Sequence, residues 1–147
     1  MKKLIAVFAL MFVLTGCFGP EGDKVVLKTN TGDHTFYVEV VDDKESREMG
    51  LQYRESLGDA EGMLFVYDDE DKRAFWMPNM LISLDMIFFD KDFEVVDFFE
   101  NVPPCEEEDL EKCPHYIPVN LAQYVLEVKS GKSREIALKR GDVAVRN

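Results

Sequence analysis

A cation, an indole ring, an amide and a carboxylate in the middle of the chain have the chemistry of a binding site. They belong to four residues: Arg54, Trp76, Asn79 and Asp85. Sites for small polar molecules combine an apolar or aromatic wall with a few polar groups that fix orientation. Aromatic rings beside amides and carboxylates suit saccharides in particular. We therefore expect these side chains to line a groove for a small polar ligand, with a saccharide preferred.

Asp85 interrupts an otherwise apolar run, Leu84–Phe89, which predicts a central strand covered on both faces. A buried carboxylate without a partner costs several kcal/mol. Asp85 therefore either pairs with Arg47, Arg54 or the Asn79 amide, or it lies at the mouth of a pocket and contacts a ligand. The sequence leaves both roles open.

A hydrolase of the cell envelope is the competing class, with Asp85 and a second acid such as Glu127 as its catalytic groups. Glycoside hydrolysis uses two carboxylates on either side of the scissile bond, and the fold sets their separation. The serines lack the sequence context of a nucleophile elbow. Because no motif names a reaction, a non-enzymatic binding or accessory role is the leading hypothesis.

A copper or redox accessory protein is the third hypothesis, since thioether and imidazole groups are soft ligands for copper(I). The residues concerned are Met77, Met80, Met86, His34 and His115. Their spacing matches no ligand pattern, and methionine commonly fills irregular gaps in a core. We therefore predict core packing for the methionines, no metal site and no cofactor.

The beginning of the chain has the three parts of an export signal. Lys2 and Lys3 precede an apolar run from Leu4 to Leu14. Such a run reaches roughly 16 Å as a helix, too short for a bilayer core of about 30 Å. The following Leu14-Thr15-Gly16-Cys17 resembles the lipobox of prokaryotic lipoproteins. The resemblance implies cleavage before Cys17 and a lipid on its sulfur, which would hold the protein to the cell membrane or the outer membrane, outside the cytoplasm.

The sequence predicts three consecutive segments. Residues 1–16 are the predicted lipoprotein signal peptide, residues 17–23 a lipidated tether rich in Gly and Pro, and residues 24–147 a single β-rich domain. Without the two signal lysines the formal net charge falls from −12 to −14. This charge disfavours nucleic acid as a partner. We expect a small polar ligand or an envelope protein as the partner, with the membrane reached through Cys17.

Two cysteines remain beyond the lipidation site, Cys105 and Cys113. Outside the cytoplasm such a pair most simply forms a disulfide bond. A zinc site would need closer spacing and a fourth ligand, which the sequence does not supply. We therefore predict a disulfide that closes a short acidic loop.

Short apolar runs separated by turn residues predict a mainly β fold with two short helices. Val25–Thr29 and His34–Val41 flank a Gly-containing turn and predict a hairpin. Asp42–Arg54 has the capping residues of a short helix, and Ser133–Lys139 is the second candidate. The remaining strands are predicted at Gly62–Tyr67, Arg73–Met77, Leu84–Asp90, Glu94–Glu100, Gln123–Lys129 and Asp142–Arg146. About seven or eight strands of this length favour a compact β-sandwich or a partly closed barrel.

Six ordered motifs resemble an uncharacterised prokaryotic family, the domain of unknown function number one hundred and ninety-two. They are Gly50–Arg54, Gly62–Phe65, Phe75–Asn79, Leu84–Phe88, Tyr124–Glu127 and Gly141–Val143. The resemblance implies a small β-rich domain, often exported, and no established activity. Met80 and Ser83 stand where the family usually has Thr and Pro, so a role of that Thr hydroxyl in relatives does not transfer to this chain.

Overall fold

The computed structural model describes residues 22–147, which form seven strands, two short helices and one 3₁₀ turn. The strands are β1 (Lys24–Thr29), β2 (Gly32–Val41), β3 (Glu61–Asp71), β4 (Leu84–Phe89), β5 (Val95–Val102), β6 (Ala122–Lys129) and β7 (Val143–Arg146). The helices are α1 (Lys44–Met49) and α2 (Lys132–Glu135), and the 3₁₀ turn is Leu110–Lys112. The predicted signal peptide, the lipidation site Cys17 and most of the tether lie outside the described residues. None of the helices within residues 22–147 has the length and hydropathy needed to cross a membrane.

The strands form one curled sheet in the order β5-β4-β6-β3-β2-β1-β7. Every pairing is antiparallel except that of β2 with β3. The two ends of the sheet approach each other at an isolated bridge between Glu94 and Val143, supported by a 2.8 Å hydrogen bond from the Val95 N–H to the Asp142 carbonyl. The predicted mainly β fold, in its form of a partly closed barrel with two short helices, is confirmed.

The two faces of the sheet cover two separate cores. Side chains of all seven strands, among them Leu27, Leu64, Ile87 and Leu126, fill the inside of the curl. On the outer face, alternate residues of the central strands pack under the segments that follow α1 and β3. They include Phe65 of β3 and the outward-facing residues of β4 and β6. Because side chains alternate along a strand, β4 contributes to both cores, and all six of its residues are buried.

Helix α1 has the short length and the caps that the sequence predicts, because both of its ends are fixed locally. The Asp43 side chain accepts a 2.9 Å hydrogen bond from the Ser46 N–H, as an N-cap does. Gly50 ends the helix at a φ of 49°, where a side chain would be strained. Gly50 also faces the Phe65 ring, because a Cβ built there would lie 3.4 Å from it. The helix is thereby held against the outer face of the sheet.

The strand predicted at Arg73–Met77 is wrong. This segment makes only one bridge, in which Phe75 and Tyr116 exchange backbone hydrogen bonds of 2.9 and 2.7 Å. The Phe75 ring instead meets Phe65 and Phe88 edge-on, at centroid distances of 4.9 and 5.6 Å. The apolar residues that suggested a strand therefore cover the outer face of the sheet.

The structure contains the predicted disulfide between Cys105 and Cys113, whose Cα atoms are 5.7 Å apart. The Cys105 N–H donates a 2.9 Å hydrogen bond to the Met77 carbonyl. The disulfide loop is thus fastened to the segment that covers the outer core.

Candidate functional site

A cavity of about 600 Å³ lies between α1, the outer face of the sheet and the segment that follows β3. Helix α1 and the residues just after it contribute Lys44, Arg47, Glu48, Met49, Gly50, Leu51 and Gln52. The sheet contributes Phe65, Tyr67 and Glu127, and the covering segment contributes Ala74, Phe75, Trp76, Pro78 and Met80. An apolar and aromatic cavity with a few polar groups is the usual form of a small-molecule site.

Glu127 is the buried polar group of this cavity. It lies on β6 opposite Met86 of β4 and faces the outer core, with only 5% of its surface exposed. Within residues 22–147 its carboxyl group makes no side-chain hydrogen bond or ion pair. Burial raises the pKa of Glu127 to about 8, so the carboxyl is mostly neutral at pH 7.

The backbone around Glu127 is closely packed. Gly62 of β3 lies opposite Val128, and a Cβ built on this glycine would lie 2.7 Å from the Glu127 carbonyl oxygen. Only glycine allows β3 and β6 to approach in this way without a shift of the backbone. The position of Glu127 therefore depends on a fixed contact between two central strands.

Tyr67 forms one wall of the cavity and is flanked by two guanidinium groups. The Cζ atoms of Arg47 and Arg73 lie 4.7 and 4.1 Å from the centre of its ring. Arg47 is oriented by hydrogen bonds that it donates to the Asp42 carbonyl and, at 2.9 Å, to the Val66 carbonyl. Burial raises the pKa of the Tyr67 hydroxyl, so the ring stays neutral. This wall is consequently aromatic and positively charged.

Trp76 lies at the rim of the cavity, with 40% of its surface exposed. Its ring stacks on that of His115, at a centroid distance of 5.6 Å and an interplanar angle of 7°. An indole supported in this way presents a flat surface to a ligand. The predicted placement of Trp76 beside a groove therefore agrees with the geometry, while its role in binding stays a prediction.

Asn79 lies next to the cavity and not in its lining. Its amide donates a 2.8 Å hydrogen bond to the Gln52 side chain, which does line the cavity. Its carbonyl accepts a 3.0 Å hydrogen bond from the Tyr53 N–H, and its φ of 53° is one that asparagine tolerates well. Asn79 thus positions Gln52 in this structure.

Arg54 is not among the residues that line the cavity. Its guanidinium donates two hydrogen bonds to the Glu39 carboxylate, at 2.5 and 2.6 Å. This side-chain hydrogen bond lowers the pKa of Glu39. The expected pairing of Arg54 with Asp85 is therefore wrong, because Arg54 has its partner on β2.

Asp85 is fully buried on the opposite face of the sheet from Glu127. Its carboxylate accepts hydrogen bonds from three backbone N–H groups, those of Asn101 at 2.8 Å, Gly131 at 3.0 Å and Ser133 at 2.7 Å. None of the side chains proposed as partners contacts it. Asp85 instead fastens α2 and the end of β5 to the sheet, and the structure does not bring it together with Trp76.

The same geometry bears on the two competing hypotheses. Asp85 pairs across the sheet with Val128 and Met86 pairs with Glu127, so the two carboxyl groups point to opposite faces. They cannot flank one bond, and the hydrolase built on this pair is excluded.

The residues of the copper hypothesis lie apart. Met77, Met80 and Met86 belong to the outer core, whereas the His34 ring bonds to Thr31 at the first hairpin. Residues 22–147 contain no group of three or more His, Cys, Asp or Glu placed to hold a metal ion.

Sequence reasoning named Glu127 only as a second acid and missed the contribution of α1. One signal for Glu127 was present, since it interrupts an apolar strand just as Asp85 does. Nothing in the sequence indicated that Lys44 and Arg47 line the same cavity, because that depends on where α1 lies relative to the sheet.

Comparison with known protein families gives a match. The model of DUF192, described as "Uncharacterized ACR", matches residues 25–145. The chain belongs to the DUF192 family. The match spans the sheet except for its first and last residues, and it includes every residue that lines the cavity. Comparison with curated proteins gives no match.

Two crystal structures are similar to this DUF192 protein. One is a protein of unknown function from Novosphingobium aromaticivorans DSM 12444, with 30% identity, a TM-score of 0.75 and 83% of each chain covered. The other is from Sinorhizobium meliloti 1021 and carries the description "putative transcription regulator". It has 30% identity and a TM-score of 0.76, and the alignment covers 84% of this chain and 92% of that one.

Proposed function

We propose that this DUF192 protein is a lipid-anchored binding module of the cell envelope that holds a small polar ligand, preferably a saccharide, in the cavity between α1 and the sheet. The observation that carries the proposal is that one cavity has a half-exposed Trp76 at its rim and a largely buried Glu127, without a hydrogen-bond partner in residues 22–147, in its lining. A stacked indole offers a platform for the apolar face of a sugar ring. Glu127, Gln52 and the cationic side chains offer hydrogen bonds to its polar edge.

A binding role is favoured over an enzymatic one by the placement of the acids. Glu127 has no buried carboxylate beside it in the cavity lining, whose other acid, Glu48, is exposed and lies 3.6 Å from Lys44. The description of the S. meliloti relative suggests DNA as a partner, but a formal net charge of −12 opposes association with phosphates. We therefore propose no DNA-binding role for this chain.

Trp76→Ala is expected to weaken saccharide binding by about tenfold or more, because it removes the stacking surface. Stability should change by less than about 1 kcal/mol, since the indole is half-exposed. Calorimetric titration of residues 18–147 with a panel of monosaccharides tests this. The matched control is Leu81→Ala, an exposed apolar residue outside the cavity lining. Equal affinities for wild type and Trp76→Ala would contradict the proposal.

Cys17→Ser is expected to release the protein from membranes without unfolding the domain. The reason is that one covalent lipid, and not the acidic protein surface, would hold it there. Membrane fractionation of the full chain expressed in bacteria measures the effect. A variant with Ser at both Cys105 and Cys113 is the control and should remain with the membranes. The anchor proposal fails if Cys17→Ser still sediments with them.

A further inference from the structure

Glu127 is only 5% exposed, and its carboxyl makes no hydrogen bond within residues 22–147. The carboxyl oxygens open onto the cavity and are not sealed in the core. Carboxyl groups in a cavity find their hydrogen-bond partner in the protein, in water or in a ligand. A bound ligand supplies such a partner. The polar neighbours of Glu127 therefore indicate the chemistry of that ligand.

The charged and titratable groups around the cavity come from three elements. Helix α1 contributes Lys44, Arg47 and Glu48, β3 contributes Tyr67, and the segment after β3 contributes Arg73 beside the Tyr67 ring. Lys44 and Glu48 lie 3.6 Å apart and largely offset each other. Arg73 pairs with Asp69 at the surface, whereas Arg47 has no carboxylate within ion-pair distance in residues 22–147. The cavity of an otherwise acidic protein is thus left with an unmatched positive charge.

These charges favour an anionic ligand over a cationic one. A ligand cation that stacked on Tyr67 would compete with Arg47 and Arg73, which already lie over its ring. It would also meet like charges in a site of low polarity, which is costly. A carboxylate has neither difficulty, and planar carboxylates are well matched to guanidinium groups.

We propose that the ligand carries a carboxylate, as a sugar acid does, which accepts a hydrogen bond from the neutral carboxyl of Glu127 and pairs with Arg47. The inference rests on the proposed function and specifies the ligand of the same cavity. A neutral acid is a strong donor to a carboxylate, and one shared proton relieves the repulsion between two such groups.

The proposal has a direct pH consequence. Glu127 donates only while it is protonated, and burial raises its pKa to about 8. Above that pH the ionised group would repel the ligand carboxylate. Binding should therefore be constant in mildly acidic solution and weaken as the pH rises through about 8.

Three sugars of the same ring size provide the test: glucuronate, glucose and glucosamine, which at about pH 6 are anionic, neutral and cationic. We expect calorimetric titration of wild type to show glucuronate bound at least about tenfold more tightly than the other two. Its affinity should fall about tenfold or more between about pH 6 and about pH 9.5.

Two variants of Glu127 distinguish hydrogen-bond donation by this side chain from the effect of its size. Glu127→Gln keeps a hydrogen-bond donor that does not titrate, so its affinity for glucuronate should no longer fall with pH. Glu127→Ala should lose the preference for glucuronate over glucose. Circular dichroism of each variant confirms that it is folded.

The outcomes distinguish this inference from the proposed function. Glucosamine or glucose bound as tightly as glucuronate, in a manner that Trp76→Ala abolishes, would overturn the inference and leave the binding function intact. Glucuronate binding whose pH dependence persists in Glu127→Gln would also overturn it. If none of the three sugars binds, both proposals are contradicted.

Discussion

Glu127→Gln is expected to abolish a pH-dependent loss of stability. In wild type, the titration of Glu127 should lower the free energy of unfolding by about 5 kcal/mol between about pH 4 and pH 9. The pKa of Glu127 is raised by burial from 4.5 to about 8 in the folded protein. Between these two values the unfolded chain has released this proton while the folded protein still holds it. The contribution of Glu127 to stability is therefore greatest below about pH 4.5, falls as the pH rises, and levels off above about 8.

Urea denaturation of wild type and Glu127→Gln at several pH values measures this difference. The other titrating groups, such as Glu39 with its lowered pKa, are common to both proteins and cancel in the comparison. Glu48→Gln is the matched control, since Glu48 also lines the cavity but is exposed. Its replacement should change stability by less than about 0.5 kcal/mol, as is usual for an exposed side chain. Parallel curves for wild type and Glu127→Gln would show that Glu127 titrates normally.

Substitutions of Asp85 should have the second large effect, which is on the free energy of unfolding and not on ligand binding. Asp85→Asn is expected to destabilise by about 1 to 3 kcal/mol, because an amide oxygen replaces a carboxylate that accepts three backbone hydrogen bonds. Asp85→Leu leaves all three N–H groups without a partner and should cost more, about 3 to 5 kcal/mol. Saccharide binding by the folded fraction should be unchanged, since Asp85 faces away from the cavity.

Denaturant unfolding of both variants checks this order, with Asp33→Asn as the control. Asp33 is an exposed aspartate on β2, so its replacement should change stability by less than about 0.5 kcal/mol. Stability equal to or above that of wild type in both Asp85 variants would contradict the structural role. So would an Asp85→Leu protein less affected than Asp85→Asn.

Local patterns were enough to predict the fold class. The apolar run Leu84–Phe89 predicted a central strand covered on both faces, and all of its residues are buried. The hairpin between β1 and β2 followed from the turn that contains Gly32. These features depend on alternation and on turn residues, which act over a few positions.

The candidate site was only partly predictable, because its residues meet through contacts between distant segments. The sequence could identify Asp85 and Glu127 as acids in apolar strands, but the sheet register alone decides that they face opposite sides. The parallel pairing of β2 with β3 places α1 over the sheet and brings Arg47 to the cavity. The segment around Phe75 has the composition of a strand, yet tertiary packing uses it as a cover.

The central claim is that ligands bind in the cavity beside Trp76, and Trp76 is the only tryptophan of the chain. Its intrinsic fluorescence therefore reports on the cavity rim alone. Titration of residues 18–147 with glucuronate at about pH 6 should produce a saturable change in emission, with the same midpoint as the calorimetric titration. Calorimetric binding without any change in the emission of Trp76 would place the ligand elsewhere and contradict the account.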